Sequence, residues 1–206
     1  DKGLNSIWIF ILNNIYAPIA LTESKFDITV GNPPWIAMQY IENRSYQDFL
    51  KKQALNYNLL ESSQVKLFAN IETATLFFNR CVDLYLKDEN VIAFVMPRSV
   101  LTGAFHHTNF RHFRKPLMKL IKILDLEDVT PLFNVPSCVL FAVKGDKTSY
   151  PIFARRYSGK LPMKNLGFNE AKNYLSVEDY LYSPPITPAI YSYYYEKVRR
   201  GAFLYP

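Results

Sequence analysis

Cysteine is scarce: Cys81 and Cys138 are the only two in 206 residues, and both lie in apolar stretches. Two thiols do not make a disulfide framework, so a reducing, cytoplasmic setting is expected and Cys138 is read as inert. Long hydrophobic runs are also missing. The apolar segment 7–19 (IWIFILNNIYAPI) is interrupted by Asn13, Asn14 and Pro18. It is shorter than the roughly 20 apolar residues a bilayer requires, so it is read as a buried helix or strand and no membrane partner is expected. No charged leader with a small-residue cleavage site opens the sequence. Acidic residues are absent between Arg98 and Lys122. All three histidines (His106, His107 and His112) fall in that stretch without acidic or cysteine companions, so no metal site is expected. Internal repeats and low-complexity tracts are absent as well.

What is present is apolar and aromatic. Hydrophobic residues make up 49% and aromatic residues 16% of the chain, enough for a sizeable core and against wholesale disorder. The formal charge is +6 and the pI about 9.2, a balance that permits a polyanionic partner. The acid-free stretch concentrates this charge in Arg98, Arg111, Arg114, Lys115, Lys119 and Lys122.

Hydrophobic periodicity gives an order of elements. Residues 26–30 read as a strand. Residues 45–60 have helical spacing, with Tyr46, Phe49 and Leu50 three and four apart. The clearest helix is 65–86, on the stripe Leu67, Ile71, Leu76, Phe77, Val82 and Leu86. The run VIAFVM at 91–96 stops at Pro97 and reads as a fully buried strand. Asn109 caps an expected helix through 111–121, in which Pro116 fits badly. Strands follow at 121–126 and 139–143. Alternation of this kind predicts an α/β domain with a largely parallel sheet, whose last strand enters antiparallel after a short connection. After Thr148 the texture becomes basic and rich in Tyr and Pro, including Tyr191, Tyr193, Tyr194 and Tyr195. We place the boundary there, giving 1–148 and 149–206.

The most informative segment is FDITVGNPPW, residues 26–35. A strand ending in a glycine and two prolines puts a rigid polar loop at a sheet edge. Within four residues that loop offers an amide side chain, prolyl carbonyls and an aromatic face. Together they suit holding a planar amino group by its two N–H donors with a ring stacked behind it. A plain turn with Trp35 in the core is the simpler alternative.

These residues resemble the N6-adenine DNA methyltransferases of restriction–modification systems. FDITVGNPPW is similar to the family's catalytic motif, a strand followed by Asn/Asp/Ser-Pro-Pro-aromatic. VIAFVMPRSVLTG is similar to its next strand and loop, and PLFNVPSCVLFAVKG to a later strand preceded by a Phe that touches the target base. The resemblance spans about 26–147. It implies a Rossmann-like S-adenosylmethionine-dependent methyltransferase sheet, here its C-terminal half, with a C-terminal appendage that begins a target-recognition region. By resemblance, Asn32 and the Pro33 carbonyl accept the two amino protons, Pro34 stiffens the loop, Trp35 stacks on the adenine and Phe133 contacts the base from another side. The cofactor implied is S-adenosyl-L-methionine. The implied partners are double-stranded DNA and a restriction or specificity subunit, or a nuclease in the same polypeptide. The family's cofactor turn is Gly-rich and lies upstream of the catalytic motif. No Gly-x-Gly occurs here and 31 residues precede Asn32, so the sequence is expected to be the later part of a catalytic domain.

Arg98, Arg111 and Arg114 are candidates for DNA phosphates, against the alternative of a solvated helix face. The tyrosines at 191–195 suit either base stacking or the buried face of a small domain. Two other functions fit the same residues: methylation of an RNA base or a protein glutamine amide, and a non-catalytic DNA-binding module on a methyltransferase fold.

Overall fold

The computed structural model describes residues 7–102 and 105–185. The tyrosines at 191–195 lie outside the described residues, as does Gly103 of the second motif. Six strands form one sheet: β1 (Phe26–Gly31), β2 (Leu86–Pro97), β3 (Met118–Thr130), β4 (Ser137–Lys144), β5 (Ile152–Lys160) and β6 (Ser176–Tyr182). Their order is β1-β2-β4-β3-β5-β6. The pairs β1/β2 and β3/β5 are parallel, and β2/β4, β3/β4 and β5/β6 are antiparallel. The α/β class is as expected, but the sheet is mixed rather than largely parallel. The reason is connection length: β4 and β6 follow their predecessors without a long crossover helix, which a parallel neighbour requires, so each returns antiparallel.

Period-two alternation builds the core. Ile92, Phe94 and Met96 on β2 stand opposite Ala142, Leu140 and Cys138 on β4, and all six are buried. Against this face packs α4 (Thr73–Tyr85), whose Phe78 meets Phe94 and Phe110 edge-on at 5.6 Å each. Helix α3 (Arg44–Asn56) starts at Asn43, whose side chain accepts the Tyr46 N–H. The helix expected over 65–86 is interrupted. Residues Ser62–Asn70 form 3-10 turns, the chain extends at Ile71 and Glu72, and α4 begins at Thr73. That extended step lets Glu72 bridge Ala37. The expected helix through 111–121 is a single 3-10 turn, Phe110–His112, because Pro116 supplies no N–H and β3 begins at Met118.

The two flanks are built differently. The residues after 148 continue the same sheet, since β5 pairs in parallel with β3. A short helix, α5 (Phe168–Ala171), lies between β5 and β6. At the other flank, α1 (Ile7–Ile11), a π turn (Leu12–Tyr16) and α2 (Ala17–Ser24) precede β1. This segment is helical but exposed, with Trp8 at 66% and Phe10 at 65%. Its last helix, α2, lies against α4. Among the described residues, no helix is long and apolar enough to cross a membrane.

Candidate active site

Strands β1 and β2 run parallel from Phe26↔Leu86 to Gly31↔Phe94. In open α/β sheets the crevice beyond the carboxyl ends of such strands is where ligands bind. The NPPW loop occupies that position. Gly31 makes the exit, because a Cβ there would sit 2.9 Å from the Phe94 ring. Only a glycine lets β1 end against so large a core side chain.

Two contacts then fix the loop. The Trp35 indole N–H donates to the Val95 carbonyl at 3.3 Å, one residue past the last β1–β2 pair. The Thr73 hydroxyl, at the first residue of α4, donates to the Pro34 carbonyl at 2.7 Å and accepts the Ile36 N–H at 3.3 Å. Backbone bonds from Thr73 N–H to Ile36 O (2.8 Å) and from Met38 N–H to Ile71 O (2.9 Å) complete the attachment. Pro33 is buried, while Pro34 and Asn32 are exposed. Among the described residues, neither the Asn32 amide nor the Pro33 carbonyl has a hydrogen-bond partner.

Phe133 lies in the loop between β3 and β4, at the same end of the sheet. Its ring centroid is 4.9 Å from that of Trp35, with the planes at 49°. The sheet thus brings together Asn32, Pro33, Pro34, Trp35 and Phe133 from segments 100 residues apart. An amide, an open carbonyl and two aromatic surfaces converge there. This set can accept two hydrogen bonds from a planar amino group and stack its ring.

The three arginines are placed differently. Arg98 follows β2 and faces inward. Its guanidinium is bidentate to the fully buried Asp125 at 2.9 and 3.0 Å, and it reaches Glu127 at 2.9 Å. Arg111 is only 5% exposed and donates to the carbonyls of Val100 and Thr102 and to the Thr108 hydroxyl. The expectation that it meets phosphates is corrected: it is enclosed between Phe110 and Phe113 in sequence, both buried, and its charge is spent on backbone acceptors. Arg114 is exposed, but at the opposite end of the sheet. It lines a cavity of about 470 Å³ with His112, Leu117, Lys147 and Thr148, where β3 begins and β4 has ended.

Several groups behind the loop escaped the sequence reading. Ser99 Oγ donates to both oxygens of Glu72, at 3.1 and 2.8 Å. The buried His107 places Nε2 3.2 Å from Glu72 Oε2, at ion-pair distance but off hydrogen-bonding geometry. This corrects the expectation of a histidine stretch without acidic companions. Burial pushes the Glu72 carboxyl up, but His107 and Ser99 outweigh it and hold it below the usual carboxylate range. Burial likewise raises Asp125, and the Arg98 hydrogen bonds, the Glu127 N–H and the Tyr180 hydroxyl bring it below that range. Burial, then the neighbouring His107, depress His106 to about 4. Burial raises the Cys138 thiol, in keeping with an inert side chain.

The described residues fit a methyl acceptor's amino group. The sequence contains no Gly-x-Gly turn of the kind that brings backbone against a nucleoside.

Comparison with known proteins follows this geometry. Residues 5–133 match the model of the family described as Eco57I restriction-modification methylase. A curated relative, modification methylase CviBIII of Paramecium bursaria Chlorella virus NC1A, is 26% identical over 102 residues, which is 50% of this chain and 20% of the relative's length. The type IIG restriction endonuclease BpuSI superposes with a TM-score of 0.51 at 16% identity, covering 78% of this chain and 20% of that one. A nuclease-deletion mutant of the type ISP restriction-modification enzyme LlaGI, in complex with a DNA substrate mimic, has a TM-score of 0.49 at 13% identity, covering 70% of this chain and 16% of that one. The BpuSI likeness shows the fold. The match over 5–133 covers most of the chain and includes β1, its loop and Phe133, and on that ground this chain belongs to the Eco57I restriction-modification methylase family.

Proposed function

We propose that this chain carries the acceptor side of a DNA adenine-N6 methyltransferase of a restriction–modification system. The observation that carries the proposal is the convergence of the open Asn32 amide and Pro33 carbonyl with Trp35 and Phe133 at the carboxyl end of β1 and β2. Family membership supports it.

The exocyclic nitrogen of adenine is a poor nucleophile, because its lone pair is spread into the ring. Asn32 Oδ1 and the Pro33 carbonyl accept its two N–H bonds, which localises the lone pair and aims it. The gain is one of orientation and fixed dipoles, not of a strong base. Trp35, held by its bond to Val95, presents a ring face that does not rotate away. Trp35 and Phe133 already touch, so an entering base replaces Phe133 against the Trp35 face and keeps Phe133 as a second contact. A base inside a duplex cannot reach this lip, so double-stranded DNA must present it flipped out. The methyl comes from S-adenosyl-L-methionine, which supplies an electrophilic sulfonium methyl; its site is assigned to sequence beyond these residues. A restriction or specificity subunit, or a fused nuclease, completes the system, in the cytoplasm where its DNA is.

The test is transfer of labelled methyl to mixed-sequence unmethylated DNA by the longest natural form of the protein, with Asn32→Ala alongside. Label should appear as N6-methyladenine and vanish in the variant. Label on RNA or protein instead, or equal label from the variant, would refute the assignment.

A further inference from the structure

Pro33 and Pro34 have no N–H, so the lip cannot brace itself with the backbone bonds of an ordinary turn. Its shape must be imposed from outside. Thr73 does most of this. It is 5% exposed, and it makes three hydrogen bonds to the residues on either side of Trp35. The hydroxyl donates to Pro34 O and accepts Ile36 N–H, while its own N–H, one of the donors a helix start leaves without an internal partner, goes to Ile36 O. A hydroxyl suits the position because its single oxygen both donates and accepts. The Thr73 main chain is itself anchored. Preceding it, Glu72 bridges Ala37 and binds Ser99 in the turn after β2. The carbonyl pinned by Thr73 belongs to Pro34, next to the open carbonyl of Pro33.

We propose that Thr73 is a positioning residue for methyl transfer: through Pro34 and Ile36 it sets the aim of the Pro33 carbonyl and the Asn32 amide. It touches neither substrate nor cofactor. The inference rests on the function proposed above, and its test separates the two. Thr73→Val keeps the shape and removes the hydroxyl; Thr73→Ser keeps the hydroxyl and removes the methyl.

In the longest natural form of the protein, Thr73→Val should lower kcat about 100-fold, the scale of a small misplacement of reacting groups. KM for DNA and for S-adenosylmethionine should be unchanged, and Thr73→Ser should recover most of the rate. Amide hydrogen exchange gives a readout independent of activity. The Ile36 N–H should exchange faster in Thr73→Val, and at the wild-type rate in Thr73→Ser. Unchanged Ile36 exchange in the valine variant would overturn the proposal whether or not the protein methylates DNA. So would a wild-type kcat, or a loss that serine does not repair and that follows thermal stability. A wild-type protein that transfers no methyl, yet shows the expected change in Ile36 exchange, would sink the function and leave the brace standing.

Discussion

The two ends of the sheet differ in kind. At the carboxyl end of β1 and β2 stand neutral groups in fixed geometry: an amide, prolyl carbonyls, an indole bonded to Val95 and the Phe133 ring. Arg98, the arginine nearest that end, is bound to Asp125 and Glu127. At the other end, Arg114, His112 and Lys147 surround an open cavity. The open basic cavity and the groups suited to orienting an amino nitrogen therefore lie at opposite ends of the sheet. Positive charge draws a polyanion over a distance set by salt. Orienting an amino group takes short hydrogen bonds from groups that do not move. A basic stretch in a sequence marks the first property and says little about where the second resides.

Four experiments test that contrast, with the largest effect first. Asn32→Ala at the neutral end should cost about 1000-fold in kcat, the scale seen when one preorganised hydrogen-bonding group is lost from a transition state; a methyl-transfer assay checks it. Next is Asp125, which ties Arg98, Tyr180 and the Glu127 N–H together in the interior. Asp125→Ala should destabilise the fold by about 3 kcal/mol by leaving a half-buried guanidinium partly unpaired; urea unfolding checks it. The acid dependence has a definite sign. Asp125 and Glu72 are held below their ordinary pKa values. Their contribution is full above the unfolded-state pKa and is lost as the pH falls through the folded one. The variant should therefore show a shallower loss of stability on acidification.

Phe133→Ala should weaken binding to DNA bearing 2-aminopurine at the target position by about 10-fold, within the range for one base–aromatic contact. Fluorescence titration would show it, and undiminished affinity would remove Phe133 from the site. The smallest effect is expected from Arg114→Ala, which should leave methyl transfer unchanged at physiological salt. A strong loss there would mean that the two ends of the sheet act together.

The NPPW loop was legible because its information is local. Glycine and proline dictate their own backbone, and an apolar strand before them dictates a sheet edge. Resemblance to a motif singled out Phe133, and the β3–β4 pairing sets its ring 4.9 Å from that of Trp35. What failed was non-local. The stripe through 65–86 is continuous in sequence, yet Ile71 and Glu72 extend to pair with the segment around Ala37, and no periodicity carries that demand. Arg111 read as one more cation in a basic run, whereas the packing of Phe110 and Phe113 takes it inside with carbonyls as partners. Segment 7–19 read as core on its composition, yet Trp8, Phe10 and Ile15 are exposed, which composition does not reveal. The region after 148 looked foreign by composition, but β5 aligns beside β3 through backbone bonds, to which composition is nearly blind.

The paired prolines have a consequence for selectivity. Over two successive residues the lip carries carbonyl oxygens and no amide protons. Under the function proposed above, a visiting group that offers hydrogens finds its backbone acceptor at Pro33, since the Pro34 carbonyl is taken by Thr73. Adenine and cytosine present an amino group at this edge, thymine and guanine a keto oxygen. On that function, the Pro33 carbonyl favours the bases that present an amino group over those that present a keto oxygen.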